Sequence, residues 1–327
     1  MTIRGCRAFD QLRMNDRLHI LFGVVLLVVV GCGCLSTSVA QDSPASPATT
    51  RQTQVILTVT DTPGRYMGGL HKGQVTMLDN GIPQELLSIE ESGFPVSIGL
   101  LFNVSKGRYR DSLALTRKMI PSFFEAPQNT NEYFIMGFDK DSFLAADWTR
   151  EPKELMSGFD KLASVKPSKS ATRFDALEIG LKKMRDARYF KRALIMVSDI
   201  DEVGSKLKLD QLIEALKRSD VLVYSISVET SILPQTLERP ALNRLCSLSG
   251  GFAKSAKNTS DFLDLMEMIS LELKHQYLIS FRPSGADGDW HRLSFEVKPL
   301  MLHKQSSTKT EKVPLFVRSR EGYYSSR

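Results

Sequence analysis

Paired cysteines are what this chain most plainly lacks. Of its four, Cys6, Cys32 and Cys34 fall within the first 40 residues, so Cys246 is alone beyond them and no disulfide can form within residues 41–327. Cys246 stands at helical spacing with Leu242, Leu245 and Leu248, the pattern of a small buried hydrophobe and not of a nucleophile. No HExxH pair, nucleophile elbow or Gly-rich phosphate loop is present. The five histidines, His19, His71, His275, His291 and His303, are scattered, with no metal-like spacing between any two. Strong charge of one sign is missing as well. The formal net charge of +6 falls to +4 without the first 40 residues, 39 basic against 35 acidic side chains, too mild and dispersed for a nucleic-acid partner.

What is present begins with a leader. Arg4, Arg7, Arg13 and Arg17 precede an apolar run of eleven residues, Ile20 to Val30, which is short against the roughly 20 needed to span a bilayer. Ser38 to Ala40 offers a small-x-small cleavage site, whereas "VVGC", ending at Cys32, has the form of a bacterial lipoprotein box that would be acylated at that cysteine. A single uncleaved anchor over Leu18 to Leu35 is the third reading. All three place the remainder outside the cytoplasm, secreted, periplasmic or attached to the cell envelope, with membrane contact only through a leader or lipid anchor.

Residues 1–40 are therefore read as signal peptide or lipoprotein leader, and the Ser-, Pro- and Thr-rich residues 41–53 as a linker. Residues 54–94 form an N-terminal β segment, in which Val55, Leu57 and Val59 alternate and Asn80-Gly81 signals a hairpin. Over 95–275, apolar runs such as "VSIGLLFNV", "EYFIMGF", "RALIMVSD" and "VLVYSISV" alternate with amphipathic helical stretches. That pattern predicts an α/β open sheet with helices on both faces. Pro121 is expected to bend or break the first helix, and Thr259 or Ser260 to cap the last. Residues 276–327 return to β and are expected to pair with the N-terminal segment, while 303–312 read as a polar loop.

Ligand sites in open α/β sheets lie where the strands end at their carboxyl edge. Asn103 and Ser105, Asp139, and Asp199 with Asp201 stand at three such ends. Convergent oxygens of this kind suit a hard divalent cation. The stretches "VTDTPGR", "LDNGIPQEL", "PVSIGLLFNVS", "LKHQYLISFRP" and "VRSREGYY" occur in this order over residues 54–325. In these and in its order of strands and helices the chain resembles von Willebrand factor type A (VWA) proteins, and most closely the acidobacterial-type VWFA-related proteins. The resemblance implies a Rossmann-like sheet and a metal-ion-dependent adhesion site taking Asp-x-Ser-x-Ser, a Thr and an Asp.

Carried over, Asn103 stands for the first Asp, Ser105 for the first Ser, and Gly107 for the second Ser. The Thr position is met by Thr172 after a one-residue shift, and Asp199 matches the last Asp. The amide removes a formal charge and Gly107 a hydroxyl, so the site is expected to be degenerate. The expected function is that of an exported, non-enzymatic module that binds a protein through a rim including Lys106, Arg108, Asp139 and Asp201. A retained Mg²⁺ or Mn²⁺ site that makes adhesion cation-dependent is the alternative. "SDIDEV" also has the Asp-x-Asp form of an Asp-based phosphatase, with Asp199 as nucleophile and Asp201 as general acid. Phe143, Leu144 and Trp148 read either as an exposed contact in a rim loop or as a strand packed inward.

Overall fold

The computed structural model describes residues 52–62, 64–91, 93–105, 109–124, 130–168, 170–198, 204–228, 238–285, 288–303 and 310–325. Its first strands are β1 (Thr53–Asp61), β2 (Val75–Asp79), β3 (Ile82–Gln84) and β4 (Leu86–Glu91). The hairpin between β2 and β3 turns on Asn80 at φ 49° and Gly81 at φ 82°. Two successive left-handed residues match the right-handed twist of the flanking strands, which is why Asn-Gly serves there.

The α/β part follows as β5 (Val96–Asn103), α1 (Tyr109–Phe124), β6 (Glu132–Phe138), β7 (Ser142–Thr149), α2 (Pro152–Ala163) and α3 (Arg173–Lys183). It continues with β8 (Lys191–Ser198), α4 (Leu209–Lys217), β9 (Val221–Val228), α5 (Glu238–Ser249), β10 (Ala253–Ala256) and α6 (Thr259–Lys274). The strands lie in the order β10-β9-β8-β5-β6-β7, all parallel except β7, which runs antiparallel to β6. All eight residues of β5 are buried, because both faces of the sheet are covered. Ile98, Leu100 and Phe102 pack with residues of α1, α2 and α6. Leu101 faces the other way and packs with residues of α3, α4 and α5. Two-residue alternation thus divides one apolar run between two cores.

The closing strands are β11 (Tyr277–Phe281), β12 (Trp290–Val297), β13 (Leu300–His303), β14 (Thr310–Val313), β15 (Leu315–Ser319) and β16 (Gly322–Tyr324). β1 lies between β11 and β15, and β2 pairs with β12. The two chain ends therefore build two four-stranded sheets, β15-β1-β11-β4 and β16-β12-β2-β3, around a core of Leu57, Met77, Ile279, Phe281 and their neighbours. The expected pairing of N- and C-terminal segments is present.

A buried polar network locks this β unit to the α/β part. Glu272 on α6, 1% exposed, accepts from Tyr224 Oη of β9 at 2.7 Å and pairs with Arg318 of β15. Gln276 Nε2 donates to Thr58 Oγ1 of β1 at 3.1 Å. Residues Thr49–Arg327 form one compact unit. Among the described residues no helix is long and apolar enough to cross a membrane.

Several expectations are corrected. α1 runs through Pro121 to Phe124; the ring removes one N–H, and the helix ends three residues later, so little helix is left to break. α6 is capped by Asn258, whose side chain accepts from Asp261 N at 2.9 Å; Thr259 and Ser260 already lie in its first turn. Within 303–312, His303 and Thr310–Lys312 belong to the β13–β14 ladder, while 304–309 lie outside the described residues. Cys246 is fully buried among α5 leucines, and burial pushes its thiol well above the ordinary range. That is the environment of a packing residue.

Candidate functional site

Chain order places β6 on one side of β5 and β8 on the other, so the sheet reverses its winding between β5 and β8. A crevice opens at the carboxyl ends of strands at such a switch point. Asn103, the last residue of β5, and Ser198, the last of β8, face each other across it, and Asn103 Nδ2 donates to Ser198 Oγ at 3.2 Å. Asn103 Oδ1 accepts from Ser105 N at 2.9 Å. The backbone N–H of Ser105 requires an acceptor, so the amide orientation is fixed: oxygen toward the β5 loop, nitrogen toward β8. Asn103 is 1% exposed and Ser105 fully buried. Ser105 Oγ has no hydrogen-bond partner among the described residues.

The next strand end adds Asp139 and Thr172. Thr172 donates from both its backbone N (2.9 Å) and Oγ1 (2.8 Å) to the Asp139 carbonyl, which holds the start of α3 against the end of β6. The Asp139 carboxylate folds back on its own turn, accepting from Asp141 N at 3.2 Å. Lys140 and Asp141, at the tip of this turn, are exposed. The loop after β8 is secured by α3: Ser205 Oγ accepts from Phe174 N at 3.1 Å, and Asp175 accepts from the backbone N–H groups of Lys206 and Leu207. Ser205 thus serves an otherwise orphaned N–H of the helix start.

The structure brings Asn103, Ser105, Asp139 and Thr172 to one end of the sheet. Lys106, Gly107, Arg108, Asp199 and Asp201 lie outside the described residues, as does Cys32. Two residues that bear on the site, Ser198 and Ser205, were not singled out in the sequence. Ser198 was legible as the last residue of the apolar run before Asp199; for Ser205 there was no local signal. Of the stretch that holds Asp139, Phe143, Leu144 and Trp148, only Asp139–Asp141 belongs to the rim, since β7 begins at Ser142 and runs away from it. Phe143 and Leu144 pack inward, and Trp148 meets Phe134 edge-on at 4.8 Å. Period-two alternation against β6 decides this, and the strand reading holds.

The fit to a resident divalent cation is poor among the described donors. Asn103 Oδ1, Ser105 Oγ and Thr172 Oγ1 are all neutral, the Asp139 carboxylate is turned to its own Asp141 N, and the Asn103 amide is held at both of its polar atoms. Neutral oxygens alone give little return for stripping the tightly held water from Mg²⁺. Among the described residues no group of three or more His, Cys, Asp or Glu side chains is placed to hold a metal.

No protein family matches the chain, and no curated protein does. Among solved structures, a von Willebrand factor type A protein from Catenulispora acidiphila is 7% identical, over 84% of this chain and 75% of that one, at a TM-score of 0.44. The vWF domain of the type V pili tip protein Mfa5 from Porphyromonas gingivalis is 9% identical, over 56% of this chain and 97% of that one, at 0.42. The PilB minor pilin from Streptococcus sanguinis is 10% identical over 55% of this chain, at 0.45, and this chain spans 61% of its length. Likeness at this level does not extend to function. By its own topology, with first strand central, one antiparallel edge strand and helices on both faces, the chain has the open-sheet fold that the VWA resemblance implies.

Proposed function

We propose that this protein is an exported module that binds a protein partner through the rim at the carboxyl ends of β5, β6 and β8, without catalysis and without a resident metal. The observation that carries the reading is the Asn103 amide at the switch point. It bridges Ser105 N and Ser198 Oγ, so the position that the VWA resemblance gives to a carboxylate ligand is occupied by a neutral cross-brace. Recognition then falls to the exposed turn Asp139–Asp141 and to the loops carrying Lys106, Arg108 and Asp201. Residues 1–40 act as the leader and residues 41–53 as the linker, with Cys32 as the lipidation site if the lipoprotein box is used. The arginines and the apolar run before Ala40 support export.

The test is site-specific photocrosslinking in cells. A crosslinker replaces Lys140 at the rim, and a control crosslinker replaces Arg188, exposed at the opposite end of the sheet. A discrete protein adduct from position 140 only, unchanged by EDTA, is the expected result. Adducts from position 188 alone would sink the rim assignment, and loss of the rim adduct in EDTA would favour a cation-dependent adhesion site.

A further inference from the structure

Opposite the rim, a cleft of about 300 Å³ opens between the β unit and the α/β part, lined among others by Gln54, Lys217, Arg218, Asp220, Arg320 and Tyr324. Three of these six are cationic, and they arrive from two places in the fold. Lys217 and Arg218 close the C-terminus of α4, and Arg320 links β15 to β16. Arg218 lies over the Tyr324 ring at 4.4 Å, is exposed, and forms no salt bridge among the described residues. Lys217 lies 5.3 Å over Trp290 while pairing with Glu214. Arg320 pairs with Asp220, yet its Nε has no hydrogen-bond partner among the described residues.

Strand polarity places this cleft. Asp220 directly precedes β9, and Phe190, also in the wall and 39% exposed, directly precedes β8. The cleft is therefore at the amino ends of the parallel strands, about 25 Å from the rim for an eight-residue strand. Gln52 and Thr53, where the described chain enters β1, also form part of its wall. The apolar run ends at Val30, and 21 residues separate it from Gln52. Twenty-one residues reach at most about 75 Å even fully extended. On the leader reading, a surface that holds the chain before Val30 is therefore tethered within that reach of the cleft.

We propose that this cleft seats the phosphate headgroups of an anionic phospholipid surface, so that the rim points away from the membrane. This orientation rests on the leader and rim readings given above; the headgroup binding itself does not. Aromatic rings carrying a cation over their face suit the interfacial layer, and Arg218, in no salt bridge among the described residues, supplies charge complementarity.

Flotation of residues 49–327, the compact unit, with vesicles tests this. The protein is expected to float with vesicles containing phosphatidylglycerol, not with phosphatidylcholine alone, and to be released by added salt. Arg218→Gln should lower partitioning about fivefold and Arg218→Glu about 25-fold, from the usual contribution of one basic residue at an anionic surface. Lys140→Glu at the rim should change nothing. Equal binding to neutral vesicles, no binding, or an equal loss in Lys140→Glu would overturn the proposal. So would inorganic phosphate displacing the protein from vesicles at matched ionic strength, which would make the cleft a small-anion site. No rim partner takes part in this assay, so a failed crosslinking experiment leaves its outcome untouched.

Discussion

Replacing Asn103 by Asp tests the cross-brace directly, because it changes one polar atom at fixed shape. In the native chain the amide nitrogen donates to Ser198 Oγ at 3.2 Å and the oxygen accepts from Ser105 N at 2.9 Å, with the side chain 1% exposed. A carboxylate keeps the second bond, loses the donor of the first, and places a negative charge in a site whose described neighbours are neutral. The lost donor costs about 1 kcal/mol, and burying the charge raises the penalty to about 2–4 kcal/mol after relaxation. For a unit of this size that is a fall in melting temperature of roughly 3–7 °C in EDTA.

A divalent cation should then reverse much of it. A ligand at 100 times its dissociation constant stabilises the folded state by about 2.7 kcal/mol, so Asn103→Asp is expected to recover most of its loss on adding Mg²⁺ or Mn²⁺. The native protein should melt at the same temperature in EDTA and in Mg²⁺. Differential scanning calorimetry of the four combinations decides the matter. A native melt that rises with Mg²⁺ as much as the variant's would refute the claim that the amide closes the site. A variant that neither loses stability nor responds to cation would show that Asn103 is not where the carboxylate ligand belongs.

Two further outcomes follow from the buried carboxylates Asp79 of β2 and Glu272 of α6. Burial by itself would push the Asp79 carboxyl up, but hydrogen bonds from Ser284, Tyr323 and His291 together hold it below its ordinary value of 3.8. A folded-state pKa below the unfolded one contributes stability above that ordinary value and loses it as pH falls through the folded pKa. Acid unfolding followed by circular dichroism should therefore show the native protein losing stability below about pH 4 more steeply than Asp79→Asn, which starts lower at pH 7. Glu272→Gln removes the charge partner of Arg318, whose side chain is 36% exposed, so water offsets part of the loss. It should cost about 2–3 kcal/mol, measured by urea unfolding; a change within 1 kcal/mol would show that the network does not lock the β unit to the sheet.

Much of the fold was legible because it rests on local chemistry. Continuous apolar runs announced strands buried on both faces, 3.6-residue stripes announced the helices between them, and Asn80-Gly81 announced its own hairpin. Reading failed where several residues satisfy the same local rule. Asn258, Thr259 and Ser260 are all good caps, and only the path of the chain leaving β10 selects Asn258. The β13–β14 ladder was hidden because "HKQSSTKTEK" has no apolar alternation; backbone pairing alone defines it.

The sequence by itself determined the fold class, the switch from β to α/β and back, and the amide at position 103 where the resemblance implies a carboxylate, since each depends on residue type and spacing along the chain. Tertiary structure alone decided what that amide does. Only the meeting of β5 and β8 shows the Asn103 amide bridging to Ser198, and only the course of β7 removes Phe143, Leu144 and Trp148 from the rim. The cleft is of the same kind: Arg320 lies about a hundred residues from Lys217 and Arg218 in the chain. They become neighbours because β15 pairs with β1 and its exit carries Arg320 onto Asp220 and the Lys217 carbonyl.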